Sequence, residues 1–258
     1  MQDRKQIESD LAGSPGREMP HPLHEKSSID EIRARFDSDV ERFSRLETGQ
    51  QATIDAPLVL DLVSQAAAGH LRPGGKLLDL GCGAGNFTLS VLARVSPLDC
   101  VLVDLSRPML ERARVRVAAV TSGTVETIQS DLRLLGLERE SIDVILAGAV
   151  LHHLRDDADW QVVFERLHAW LKPGGRLFVS DLVDFDDPVI REVMWRRYGD
   201  YLESLGGPEY RRKVLDYVDR EDSPRSLAYQ LAHLRRVGFG ESDVLHKNSV
   251  FAAYYARK

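Results

Sequence analysis

The stretch Leu77-Leu78-Asp79-Leu80-Gly81-Cys82-Gly83-Ala84-Gly85-Asn86 combines an apolar strand, an acidic residue and a turn with glycine at every second position. Glycine lets a backbone turn tightly and approach a ligand with no Cβ in the way. A helix beginning near Asn86 directs free N–H groups and partial positive charge at that ligand. The spacing Gly81, Gly83, Gly85 differs from the Gly-x-Gly-x-x-Gly of dinucleotide sites, since Asn86 stands where that pattern needs its third glycine. Asp79 would repel a pyrophosphate and attract an ammonium. Two further carboxylates, Asp104 and Asp131, follow the next two apolar runs. Asp104 is placed to accept from two ribose hydroxyls, and Asp131 from an exocyclic adenine amine. The alternative is three solvated strand-end carboxylates, but their order beside a glycine turn favours one shared ligand.

A ligand with an ammonium, a diol and an adenine but no phosphate is S-adenosylmethionine. At these residues the sequence resembles the class I S-adenosylmethionine-dependent methyltransferases. The resemblance covers Leu77 to Gly85, Val101-Leu102-Val103-Asp104-Leu105-Ser106 with Met109-Leu110, and Ser130-Asp131-Leu132, and continues through 143–154 and 171–181. It implies a Rossmann-like sheet of seven strands with the last antiparallel. It also implies cofactor contacts by Asp79, Gly81, Cys82, Gly83, Asp104, Leu105, Met109, Asp131, Leu132 and Ala147. Cys82 is read as a small side chain packed beneath the turn rather than a nucleophile. A second resemblance rests on Phe36-Asp37, Val40 and Phe43, and on Leu231, Leu234, Val237-Gly238-Phe239 and Ser249-Val250-Phe251. These look like the carboxy-S-adenosylmethionine synthases of tRNA wobble modification. The glycine loop keeps the ordinary methyltransferase form, which points away from carboxymethyl chemistry.

A sulfonium methyl is already activated, so the protein must chiefly hold a nucleophile in line with the C–S bond. A base is needed only where the acceptor is a hydroxyl, thiol or acidic carbon. His152, in Val150-Leu151-His152-His153-Leu154, is the candidate base; local packing is the alternative for it and the preferred reading for His153. The pair has no carboxylate or thiol neighbour in sequence, so no metal is expected. Arg197, Tyr198 and Tyr201 are the candidate acceptor contacts, facing an anionic or aromatic small molecule from a helical insertion over 187–221.

Positioning these residues requires a parallel sheet. The runs 77–80, 101–104, 125–129, 142–146 and 177–183 read as strands buried on both faces, alternating with helical stretches over 86–95, 107–120 and 157–171. Ser106 caps the second of these helices, with Pro108 in its first turn. The insertion divides at Gly206-Gly207 into two helices, and a further helix runs from Ser223-Pro224 to Gly238. Two closing strands, 243–246 and 250–254, are too near in sequence for a parallel crossover and should pair antiparallel. The fold class is a doubly wound α/β sheet with an antiparallel edge. Residues 1–26 read as a mobile tail and 27–258 as the methyltransferase domain, with N-terminal helices over 27–70. Ser28 opens the first helix through a capping box with Glu31.

The 258 residues carry 34 Lys+Arg against 40 Asp+Glu, a net charge of −6 that opposes bulk binding to DNA or RNA. Two cysteines cannot build a disulfide framework or a multi-thiolate zinc site. Neither a signal peptide nor a membrane span is visible, and a cytoplasmic protein is expected. The acceptor's identity and the oligomeric state are not legible. A protein that binds the cofactor without catalysis remains the alternative outside enzyme chemistry.

Overall fold

The computed structural model describes residues 22–45 and 50–258. Most of the expected tail, 1–21, lies outside the described residues. Its last part is structured: Leu23–Glu25 form a 3-10 turn, and Ser27 N–H donates to the carbonyl of Arg220 at 3.0 Å.

Seven strands form one sheet in the order β3-β2-β1-β4-β5-β7-β6. They are β1 (Lys76–Leu80), β2 (Asp99–Asp104), β3 (Val125–Gln129), β4 (Ile142–Gly148), β5 (Leu171–Leu182), β6 (Glu241–Asn248) and β7 (Phe251–Arg257). The first five are parallel, and β7 runs antiparallel to both β5 and β6. The expected antiparallel closure is therefore observed.

Alternation along each strand sorts the side chains to two faces. Leu78, Leu80, Val101, Val103, Ile145 and Val179 join one core cluster; Leu77, Cys100, Leu102, Val144, Leu146 and Phe178 join the other. The first face is covered by α6 (Asp157–Trp170) through Trp160, Phe164 and Leu167, and by α8 (Leu227–Arg236) through Leu234. The second is covered by α3 (Ala56–Ala68), α4 (Asn86–Leu92) and α5 (Arg107–Ala118) through Val63, Val91 and Val117. Full burial of such side chains is worth roughly 1.5–3 kcal/mol each. β3 departs from the expectation of strands buried on both faces: it is the edge strand, and Glu126, Thr127 and Gln129 are exposed.

The stretch that Ser28 opens forms two helices. α1 (Ile29–Ser38) begins with the anticipated capping box, and its break at Asp39 gives the short α2 (Val40–Ser44). After β5 the chain enters α7 (Pro188–Glu221), capped by Asp187 and interrupted at Gly207. There φ is +78°, a conformation glycine adopts without the steric cost other residues meet, and Pro208 restarts the helix. A third apolar cluster, with Ile54, Leu182, Trp195, Leu202 and Val250, fastens this insertion to the sheet edge.

The chain winds from β1 outward to β3 and then crosses back to β4. The carboxyl ends of β1 and β4 therefore flank a topological switch point, where open α/β sheets place their ligands.

Candidate cofactor and acceptor site

A cavity of about 730 Å³ opens at this switch point, within the 300–1,000 Å³ typical of small-molecule pockets. The glycine loop forms its floor. Gly81, Gly83 and Gly85 have φ of +63°, +49° and +83°. Cys82 N–H donates to Val103 carbonyl at 2.9 Å, pinning the turn to β2. Arg116 donates to the Ala84 carbonyl at 2.6 Å and to Asn86 Oδ1 at 2.9 Å, while Asn86 Nδ2 donates to the Phe43 carbonyl. The loop is thus held by α5 on one side and α2 on the other.

Asp104 lies on the cavity wall and is itself held in place. Its Oδ2 accepts from Gly83 N–H and its Oδ1 from Ser106 N–H, both at 2.8 Å. Ser106 in turn caps α5, accepting from Met109 N–H. The remaining lone pairs of the carboxylate are available for hydroxyl donors. Leu105, Met109, Asp131 and Leu132 line the same cavity. Asp131 is gripped by Arg133, whose Nε donates at 2.9 Å and whose backbone N–H donates at 2.8 Å. Burial would raise the Asp131 carboxyl, but the guanidinium outweighs it and the group sits below its ordinary value. Sequence reading missed Arg133, although it stands two residues from Asp131.

Two expected cofactor contacts are placed differently. Asp79 is 1% exposed and lies beneath the loop, off the cavity wall, with Oδ2 accepting from the Thr88 hydroxyl at 2.6 Å. Ala147 is buried in the core cluster; β4 runs on to Gly148, so Gly148, Ala149 and Val150 face the cavity instead. Cys82 does line the cavity, but its thiol is pushed well above the ordinary range by burial and by Asp104 and Asp79. Such a thiol is a poor nucleophile.

Burial, reinforced by the neighbouring carboxylates, pushes Asp79 up to about 7 and Asp104 up to about 6. Between roughly pH 4 and 7 the folded chain therefore holds protons that the unfolded chain has released. Their contribution to stability falls as pH rises through this window. A cationic ligand with a diol favours the ionised forms. We expect S-adenosylmethionine affinity to weaken steadily between pH 8 and pH 5, read by calorimetry; a flat profile would contradict this placement of charge.

Another part of the cavity wall comes from α7. Tyr198, Tyr210, Tyr217 and Lys213 line it, with Tyr198 2% exposed and packed edge-on to Phe251 at 5.3 Å. Arg197 is exposed, and Tyr201 donates its hydroxyl to the Gln51 carbonyl at 3.2 Å; neither lines the cavity. Of the three expected acceptor contacts only Tyr198 reaches it. His152 lies on the wall in the turn after β4, with Nδ1 in a short contact to the buried Asp181 carboxylate. Burial would lower its imidazole, but Asp181 and Asp222 outweigh that and push it up to about 9. A ring already protonated at neutral pH cannot take a proton, so His152 in this state is not a free base. His153, for which the sequence favoured a purely local packing role, also lines this wall.

Residues 77–175 match the family described as a methyltransferase domain. The chain belongs to the S-adenosylmethionine-dependent methyltransferases, and S-adenosylmethionine is that family's cofactor. A carboxy-S-adenosyl-L-methionine synthase of Cronobacter sakazakii is 30% identical over 207 residues, 78% of this chain and 81% of that protein. A Vibrio vulnificus synthase of the same name is 29% identical over 78% of this chain and 82% of its own. Among solved structures, an N1-methyltransferase of Burkholderia thailandensis, holding 1,6-didemethyltoxoflavin and S-adenosylhomocysteine, aligns with a TM-score of 0.58 at 19% identity, covering 90% of this chain and 91% of that one. An Aquifex aeolicus S-adenosylmethionine-dependent methyltransferase aligns at 0.55 with 18% identity, covering 86% and 97%. At these identities the structural likeness shows the fold. Among the described residues no helix is long and apolar enough to cross a membrane.

Proposed function

We propose that the protein transfers the methyl group of S-adenosylmethionine to an oxygen or nitrogen of a small aromatic or anionic acceptor. The observation that carries this reading is one cavity lined by two chemically distinct sets of residues. The glycine loop, Asp104 and Asp131 make up one set, and Tyr198, Tyr210 and Lys213 the other. Cofactor groups would be held by Asp104 at the ribose, Asp131 and Leu132 at the adenine, and the N–H-rich loop near the methionine moiety. The residues on α7 would orient the acceptor, which supplies much of the barrier reduction in a displacement at an activated methyl. The net charge of −6 supports a small molecule over a nucleic acid as the partner. Cytoplasmic action is the setting we infer.

The test is release of S-adenosylhomocysteine from a panel of aromatic hydroxy acids and amines, with products resolved by mass spectrometry. A methylated product is expected. For an anionic acceptor, Lys213→Ala should raise KM about tenfold through loss of one charge-assisted contact, with cofactor affinity unchanged. Arg197→Ala should leave both unchanged, because its side chain faces solvent. A second reading, carboxylation of the cofactor itself, is favoured by the 78% of the chain that aligns with the carboxy-S-adenosylmethionine synthases. A carboxylated sulfonium in place of a methylated acceptor would select it. Tight binding with neither product would select a non-catalytic role.

A further inference from the structure

The turn after β4 and the end of α7 bring His152, His153 and Asp222 together on the cavity wall. One ligand atom of each lies within 4.8 Å of the others. His153 Nδ1 is 3.2 Å and His152 Nε2 3.6 Å from Asp222 Oδ1. Two donors about 2.1 Å from a transition metal are about 3.0 Å apart at a right angle and about 3.4 Å apart at a tetrahedral angle. The observed 3.2 Å lies between those values and the 3.6 Å slightly beyond the larger.

The polar atoms of the cluster are left over by the fold. His153 Nδ1 and Asp222 Oδ1 are both buried and face each other at 3.2 Å without the alignment of a hydrogen bond. A buried contact without a well-aligned hydrogen bond recovers little of its desolvation cost, so an ion that both groups can bind is favoured. His152 is already oriented as a ligand would be, and an ion at its Nε2 would displace the proton that the ring otherwise holds. Asp181, 3% exposed, holds its Nδ1 and also accepts from the backbone N–H of Leu151 at 2.7 Å and of Leu182 at 2.7 Å. Metal-bound histidines characteristically give their second nitrogen to such a carboxylate. The Ser223 N–H donates to the His152 carbonyl at 2.7 Å, fastening the two chain segments to each other.

We propose that His152, His153 and Asp222 bind one divalent first-row transition metal ion, with Asp181 as the positioning carboxylate. Two imidazoles and one carboxylate suit ions such as Zn²⁺, Ni²⁺ or Fe²⁺ over Mg²⁺ or Ca²⁺, which prefer all-oxygen sets. Three protein donors leave coordination positions toward the cavity. On the methyl-transfer reading above, on which this clause rests, an oxygen of the acceptor takes one of them. Bound there, a hydroxyl loses its proton more readily. The expectation of no metal came from the histidines' sequence neighbours; the carboxylate arrives from the residue that ends α7.

The experiment is calorimetric titration of the full chain, stripped with chelator, with Zn²⁺ and with Ni²⁺, using Mg²⁺ as control. S-adenosylmethionine is titrated into the same preparation. A single Zn²⁺ or Ni²⁺ ion per chain is expected, with Mg²⁺ silent. His153→Gln and Asp222→Asn should weaken uptake at least tenfold, and Asp181→Asn by about 10–100-fold. His153→Gln keeps a neutral polar group of similar reach and should still bind S-adenosylmethionine, so it decides the matter if Asp222→Asn does not fold. No ion uptake above the Mg²⁺ control, or equal uptake by His153→Gln, overturns the proposal. Cofactor binding in that preparation reports separately on the methyltransferase reading.

Discussion

Asp104→Ala is expected to weaken S-adenosylmethionine binding about thirty- to several-hundred-fold, the equivalent of about 2–4 kcal/mol. Two losses combine. The ribose hydroxyls would lose a charged acceptor, and hydrogen bonds to charged groups are worth roughly 1.5–3 kcal/mol each. The same carboxylate also receives the N–H groups of Gly83 and Ser106, so the substitution frees the loop it braces. Asp104→Asn separates the two contributions. Asparagine keeps one acceptor oxygen, loses the charge and turns an NH2 donor toward one of the two backbone N–H groups, so an intermediate loss is expected. Calorimetry of the three proteins is the check. An Asp104→Ala protein that binds within a few-fold of wild type would show that the diol is not held at this residue.

Gly81→Ala is expected to damage the fold itself. A Cβ at residue 81 would stand 2.5 Å from Val150 Cγ2 and 2.8 Å from Val150 Cβ, at φ +63°. The left-handed backbone costs a non-glycine residue roughly 1–2 kcal/mol, and overpacking a further ~1–3 kcal/mol. For a domain of this size that is a fall in Tm of roughly 5–15 °C. Gly83→Ala makes the informative contrast. Nothing lies within 4 Å of its added Cβ, so only the backbone cost at φ +49° applies, and stability should fall much less. The new methyl projects from a residue that lines the cavity, so cofactor affinity should suffer more than stability. Equal thermal shifts for the two variants would contradict the close approach of β1 to the turn after β4.

The sheet was legible because consecutive Val, Leu and Ile residues at 77–80, 101–104 and 142–146 leave few alternatives to strands buried on both faces. The alternation of Leu77 and Leu78 between opposite core clusters is what such a run encodes. Asp104 and Asp131 were legible because a carboxylate at the end of a parallel strand must emerge near the neighbouring strand's loop. Two of the expected cofactor residues lie off the cavity wall for local reasons. Asp79 precedes the end of β1, so its side chain is still covered by α4 through Thr88. β4 extends two residues past the expected end, to Gly148, which moves the cavity-lining stretch beyond Ala147.

The insertion was harder to read. Adjacent residues on a helix point about 100° apart, so Arg197 and Tyr198 face solvent and cavity respectively. Only knowledge of what α7 packs against separates them. The grouping of His152 and His153 with Asp222 is a tertiary fact of the same kind. No local pattern links the turn after β4 to the last residue of a long insertion, and the hydrogen bond from Ser223 to the His152 carbonyl exists only once the chain has folded.

Density for S-adenosylhomocysteine soaked into crystals of the full chain tests the central claim most directly. The account predicts the ribose diol on Asp104, the adenine between Leu105 and Leu132 with its amine toward Asp131, and the sulfur turned toward Tyr198 and His152. A nucleoside lodged elsewhere, or one reaching the cavity with its ribose away from Asp104, would contradict it.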